Sequence, residues 1–309
     1  MITDTGILIP EFLKDQDVTE KTKVNFRNAL NCWSTWLTVN GISFEEARKP
    51  HIIRYKNELA DKGRSALYIN NLLNILRKFY QWTDDAGYYA DIASGVKGFK
   101  RYQGFRKKPL TAEQVAELLK SIDTTSRKGR REHLVINLMV TSGLRAVEVE
   151  RLNIGDYSNG AYPGVNVLGK GRKEKTFVRI SSEVSKEMKE YIGARIEDYF
   201  KPLFMVNESK LQESRLSSTY IGIMIKSRLK KIGIDDKLIT AHSLRHTTAM
   251  MMIDAGASLF DVQNQLRHTD ANMTRNYLRF IEEEKRKKMD WVDRLSKGLS
   301  KDRQTTLDL

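Results

Sequence analysis

Cysteine is almost absent from this 309-residue chain, and Cys32 alone excludes an internal disulfide framework and any zinc module built on several cysteines. Beside Trp33, it reads as a core residue. No run approaches the ~20 apolar residues of a membrane-spanning helix. The opening residues Met1 to Thr5 lack the basic and then apolar segments of a secretory leader, so the expectation is a cytoplasmic protein with no membrane contact. Strand signals are scarce too, confined to one stretch, and no internal repeat is visible.

What the chain does have is positive charge. Lys and Arg number 53 against 39 Asp and Glu, a formal +14, so an acidic polymer is the first partner to expect. The excess is placed unevenly. Residues 1–96 hold 12 basic and 12 acidic side chains, which leaves residues 97–309 with 41 and 27 and all of the +14. A hydrophobic content of 40%, with 4 Trp, 12 Tyr and 11 Phe, argues for folded domains and against a disordered, DNA-coating tail.

At ~100–200 residues per domain the length predicts two domains. From Thr19 to about Asn40, Phe26, Leu30, Trp33 and Leu37 recur at helical spacing, with Asp17 and Glu20 as capping candidates and Gly41 as a stop. Pro50 can open a second helix running to Gly63, and Ser65 can cap a third carrying Leu72, Leu73, Leu76, Phe79 and Tyr80. Residues 1–95 therefore read as a helical domain. Residues 96–108 read as a basic linker, with Lys97, Lys100, Arg101, Arg106, Lys107 and Lys108 among glycines and little periodicity. A solvated hinge or a strap across a phosphate backbone would both look like this.

A second domain, 109–309, begins where Thr111 and Gln114 form a capping-box pattern before Val115 and Leu118. Residues 164–180 alternate apolar and polar on either side of Gly169-Lys170-Gly171, a hairpin signature. Helical patterns resume from Ser185, through Thr219–Gly233, Ser243–Gly256 and Ser258–Arg267, and a tail stripe of Met289, Val292, Leu295 and Leu299 follows. The fold class is mainly α, with one small antiparallel β element.

Three of the five histidines, His242, His246 and His268, fall near Arg245, Arg267 and Tyr277. His242 and His246 are four apart on a helix and could share a face as metal ligands. No Glu stands between them as in a His-Glu-x-x-His motif and no cysteine or acidic ligand is close by, so no metal is expected. His242 and Arg245 lie one turn apart and can enter the same phosphate site, where arginine's planar fork matches phosphate oxygens. Two arginines on one phosphate can offset the charge of a pentacoordinate transition state. Arg145 is the second candidate, although three residues before Glu148 it equally suits a surface ion pair. Taken alone, Tyr277 suits a packing role beside Leu278 and Phe280, and His246 a partly buried structural one.

In combination these residues resemble the tyrosine recombinase (lambda-integrase) family, in its short Xer-like branch without an arm-binding domain. The likeness rests on Gly143-Leu144-Arg145-Ala146-Val147-Glu148, on Gly169-Lys170-Gly171, on His242-Ser243-Leu244-Arg245, on Leu266-Arg267-His268 and on Tyr277 nine residues later. One departure is Arg267, which stands where the family often has glycine; its effect is expected in local geometry or DNA contacts.

The resemblance implies an N-terminal helical, SAM-like core-binding domain and a C-terminal catalytic domain that clamp double-stranded DNA. It implies site-specific recombination of paired sites by a homotetramer, or by this chain with a related recombinase, through a 3′-phosphotyrosyl intermediate and a Holliday junction. Tyr277 is then the nucleophile, Arg145 and Arg245 the clamp, and Lys170 the general acid. His242 is base or positioning donor, His268 a further phosphate donor and Glu148 a support. The phosphotyrosyl link conserves the bond free energy, so neither ATP nor another cofactor is implied. The rivals are a non-enzymatic regulator, since Ala255 to Leu266 also resembles the second half of a helix-turn-helix, and a type IB topoisomerase.

Overall fold

The computed structural model describes residues 5–100, 107–169, 172–206, 214–267 and Tyr277. The chain divides into two compact units, Met1–Gln103 and Gly104–Leu309. As expected, it is mainly α-helical with one small antiparallel sheet. Among the described residues no helix is long and apolar enough to cross a membrane.

The first unit holds α1 (Thr5–Asp15), α2 (Glu20–Val39), α3 (Lys49–Asp61) and α4 (Ala66–Asp85). The side chain capping α2 is Thr19, whose hydroxyl accepts from the Thr22 amide, and not Asp17 or Glu20. Gly41 and Gly63 adopt positive φ just past α2 and α3, and Ser65 caps α4. Trp33, Phe12, Phe79 and Tyr80 are fully buried, and the Trp33 indole donates to the Tyr80 hydroxyl at 2.9 Å inside the core. Cys32 is exposed, contrary to the expectation. One residue turns the helix by ~100°, so burying Trp33 directs its neighbour outward.

Both ends of the basic stretch are tied to their own unit. Asn70 on α4 exchanges two hydrogen bonds with the Phe99 backbone, at 2.8 and 2.9 Å. In the second unit Lys108 pairs with Asp236 at 2.9 Å, and Lys107 donates to the Lys237 carbonyl at 3.0 Å. Arg101 and Arg106 lie outside the described residues.

The second unit opens with α5 (Ala112–Lys120), and the capping box of Thr111 and Gln114 is formed as the pattern predicts. It is followed by α6 (Arg127–Ser142), α7 (Ala146–Glu150) and the strands β1 (Tyr157–Ser158), β2 (Gly164–Leu168) and β3 (Lys175–Arg179). The strands run antiparallel in the order β1-β2-β3, with Val165 opposite Val178 and Leu168 opposite Lys175. The hairpin expected around Gly169 is thus β2–β3, and β1 widens it to three strands. Next come α8 (Ser182–Ile192), α9 (Ser218–Lys231), α10 (Ala241–Asp254) and α11 (Leu259–Leu266).

Helix α6 is the spine of this unit. Leu134, Val135, Ile136, Leu138, Met139 and Val140 are all buried, so it is apolar around most of its circumference and packs against α8 and α10. Thr248 on α10 donates to the Val140 carbonyl at 2.6 Å, fixing α10 to the end of α6 where the candidate residues converge.

Candidate active site

Three chain reversals build the site. Helix α6 stops at Gly143, whose φ of +66° is left-handed, and a Cβ there would stand 2.4 Å from the Leu266 side chain. The chain then buries Leu144 and presents Arg145 as the N-cap of α7. Glu148, at the third position of α7, reaches back to accept from the Arg145 amide at 2.9 Å and its guanidinium at 2.8 Å. The ion pair expected of Arg145 is therefore present, but its carboxylate is fully buried and not on a surface.

Arg245 on α10 is 1% exposed and held at both ends. Its guanidinium donates to the Gly143 carbonyl at 2.6 Å and to the Leu266 carbonyl. The ends of α6 and α11 thus aim one arginine with peptide oxygens, which offset little of its charge. Burial first, and then repulsion from Arg145 and Arg267, push its pKa down to about 9. A cation held this way at neutral pH gains from any anion that arrives.

Tyr277 is 1% exposed, and its hydroxyl lies 3.0 Å from Nδ1 of His246. Burial pushes the phenol up to about 12, opposed by Arg245 and then Arg145. His246 was expected to be structural, yet among the described residues it is the histidine that meets this hydroxyl. The signal was its spacing of four from His242, which puts both rings on one face, 4.7 Å apart and edge-on. His242 is more accessible. Loss of hydration against the protein beneath it, then repulsion from Arg245, Arg145 and Lys107, lowers its pKa and favours the neutral ring.

The hairpin closes one side. A cavity of about 140 Å³ is lined by Arg145, Glu148, Val167, Gly169, Arg172 and Arg267, so the β2–β3 turn opens beside the arginines. Arg267 is the C-cap of α11 and the one described residue other than glycine at positive φ, +55°. Its guanidinium donates to Glu148 at 2.8 Å and to the Gln265 carbonyl at 2.7 Å. The structure thus brings together Arg145, Glu148, His242, Arg245 and Tyr277 from the expected set and adds His246 and Arg267. Lys170, His268 and the stripe Met289, Val292, Leu295 and Leu299 lie outside the described residues. Among the described residues no three His, Cys, Asp or Glu side chains cluster as a metal site. The turn at Gly256 between α10 and α11 has the form that suggested a helix-turn-helix, and it places Arg245, the Leu266 carbonyl and Arg267 around one point.

Known proteins resemble this chain in sequence and fold. Residues 108–284 match the phage integrase family, and residues 11–87 match the N-terminal SAM-like domain of phage integrases. The tyrosine recombinase XerD of Haemophilus influenzae is 25% identical over 90% of this chain and 93% of its own. A lambda integrase dimer bound to a COC′ core site superposes with a TM-score of 0.70 at 16% identity, covering 87% of this chain and 93% of that one. A lambda integrase tetramer bound to a Holliday junction gives 0.69 at 16% identity, over 87% and 76%. With a family match over more than half its length, an N-terminal domain match in the expected order, and arginines converging on a tyrosine, the chain belongs to the phage integrase family of tyrosine recombinases.

Proposed function

We propose that the protein is a site-specific DNA recombinase that cuts and rejoins paired duplex sites through Tyr277, working as a tetramer in the cytoplasm. The observation that carries this is the buried Tyr277 hydroxyl, beside Arg245 and Arg145 and 3.0 Å from a histidine nitrogen. An alcohol with so high a pKa needs a proton acceptor and a phosphate whose charge is offset before it attacks.

Tyr277 Oη bonds to the scissile phosphorus as the bond to the 5′-oxygen breaks. The phenolic proton passes to His246 Nδ1, the nearest described base, with His242 a positioning donor to the phosphate. Arg145 and Arg245 hold the non-bridging oxygens. Lys170 in the β2–β3 turn gives the leaving 5′-oxygen its proton, and His268 donates to the phosphate. Attack by a 5′-hydroxyl from the paired duplex reverses the step and releases Tyr277. Because the phosphotyrosyl bond conserves the free energy of the one it replaces, no cofactor is consumed. Two such exchanges pass through a Holliday junction, the species on which the lambda integrase tetramer was solved. Lys97, Lys100, Arg101, Arg106, Lys107 and Lys108 of the linker supply phosphate contacts, and the units 1–95 and 109–309 each grip DNA.

The test is covalent trapping on nicked suicide duplexes built from DNA flanking the gene, read on denaturing gels. An adduct formed by the wild type and not by Tyr277→Phe supports the proposal. Specific binding without an adduct returns the regulator reading. Relaxation of supercoiled DNA without a preferred site returns the topoisomerase.

A further inference from the structure

Arg267 carries three observations that the reaction scheme leaves unused. Its backbone is left-handed, a conformation that side chains other than glycine adopt at a cost. Its side chain is only 7% exposed. Its guanidinium donates to Glu148 Oε2, which also accepts from the Arg145 amide, while the Arg145 guanidinium holds Glu148 Oε1. A strained backbone that delivers a buried charge onto a carboxylate shared with an active-site arginine is a device, and glycine there would be unstrained but unable to make the contact.

We propose that Arg267 is a positioning residue that keeps Arg145 free and positively charged for the scissile phosphate. The inference rests on the reading of Arg145 as a phosphate clamp.

The argument is one of charge and geometry. Glu148 and Arg145 alone would form a neutral pair, with only the Arg145 amide keeping Oε2 from turning onto the guanidinium fork beside Oε1. That bidentate pairing would occupy the donors a phosphate needs. With Arg267 on Oε2, Glu148 meets the Arg145 side chain through one oxygen, and the other donors of that guanidinium have no partner among the described residues. The triad of one carboxylate and two guanidiniums keeps a net positive charge beside Arg245. Arg267 also lines the cavity that Arg145 shares with Gly169 and Arg172 of the hairpin, so its charge faces that cavity.

The experiment compares wild type, Arg267→Gly, Arg267→Lys and Arg145→Ala in single-turnover cleavage of the same nicked duplexes at saturating DNA. Glycine suits the backbone, so Arg267→Gly is expected to fold and to bind DNA as wild type does. Its cleavage should fall by about 10–100-fold, the usual loss when the group orienting an active-site ligand is removed. Arg267→Lys, which keeps the charge without the fork, should recover part of that loss. With one non-bridging oxygen of the scissile phosphate replaced by methyl, less charge needs offsetting and the deficit of Arg267→Gly should shrink. A purely structural role would leave the deficit equal on both substrates and overturn the proposal. Wild-type cleavage by Arg267→Gly with Arg145→Ala inactive overturns it and leaves the recombinase reading intact. Wild-type cleavage by Arg145→Ala, or no adduct from the wild type itself, overturns that reading and this inference with it.

Discussion

Exchanging Glu148 for glutamine replaces one oxygen by an NH₂ group and removes one charge at a position with no solvent exposure. The carboxylate accepts three hydrogen bonds there, from the Arg145 amide, the Arg145 guanidinium and the Arg267 guanidinium. Glutamine has one carbonyl oxygen, and its NH₂ would point a donor at a donor. Two arginines would then face each other across an uncharged group, with Arg245 close by. Removing one partner from a buried charge network costs ~3–5 kcal/mol. At ~2–4 °C per kcal/mol for a unit of about 200 residues, the melting temperature of residues 104–309 should fall by about 6–20 °C. Calorimetry on the whole chain is the assay, since it registers both units. The pH dependence adds a sign. Burial alone would raise the Glu148 pKa, but Arg267 and then the amide and guanidinium of Arg145 outweigh it, so it lies below 4.5. A depressed carboxylate contributes stability above its unfolded value and loses it as pH falls through the folded one. The gap between wild type and Glu148→Gln should therefore be full at neutral pH and narrow on acidification below about 4.5. Equal melting temperatures at pH 7, or a gap that widens in acid, would refute the account of the triad.

Other expectations concern chemistry and DNA binding. His246→Phe keeps an aromatic ring of similar breadth but no nitrogen acceptor, and should slow adduct formation by about 10²–10⁴-fold with DNA affinity retained; wild-type kinetics would place the proton elsewhere. Gly143→Ala forces a side chain into a left-handed position 2.4 Å from Leu266, beside the carbonyl that anchors Arg245. It should lose ~1–3 kcal/mol of stability together with cleavage, and an unchanged melting temperature would contradict the geometry. Neutralising Lys97 and Lys100 together should reduce the slope of log affinity against log salt by about 2, at ~0.9 per phosphate contact. Lys108→Gln should change it less, because Asp236 already holds that amine.

The same residues show where sequence reading works and where it stops. Local signals transferred well: Ser65 and the Thr111–Gln114 box start their helices, and Gly41 and Gly63 end theirs at positive φ, because caps and stops depend on a few neighbouring atoms. The alternation around Gly169 marked β2 and β3 for the same reason, whereas the two-residue β1 is too short to carry a period. Cys32 was misplaced because adjacency to Trp33 says nothing about direction on a helix, and α1 carried no recognised pattern although Leu8, Ile9, Phe12 and Leu13 are buried. At the site, motifs named candidate residues but not what each one touches. His246 and Tyr277 are 31 positions apart, and Glu148 and Arg267 are 119 apart. No periodicity reports such pairs, since each joins segments far apart in the chain. Arg267 lies between the two cases: in sequence it was a glycine position filled by arginine, with an effect expected in local geometry or DNA contacts. Its electrostatic consequence depends on Glu148 being buried, a tertiary fact. Substitution at a helix-ending glycine can therefore add chemistry wherever the strained residue is long enough to reach a buried charge that the fold supplies.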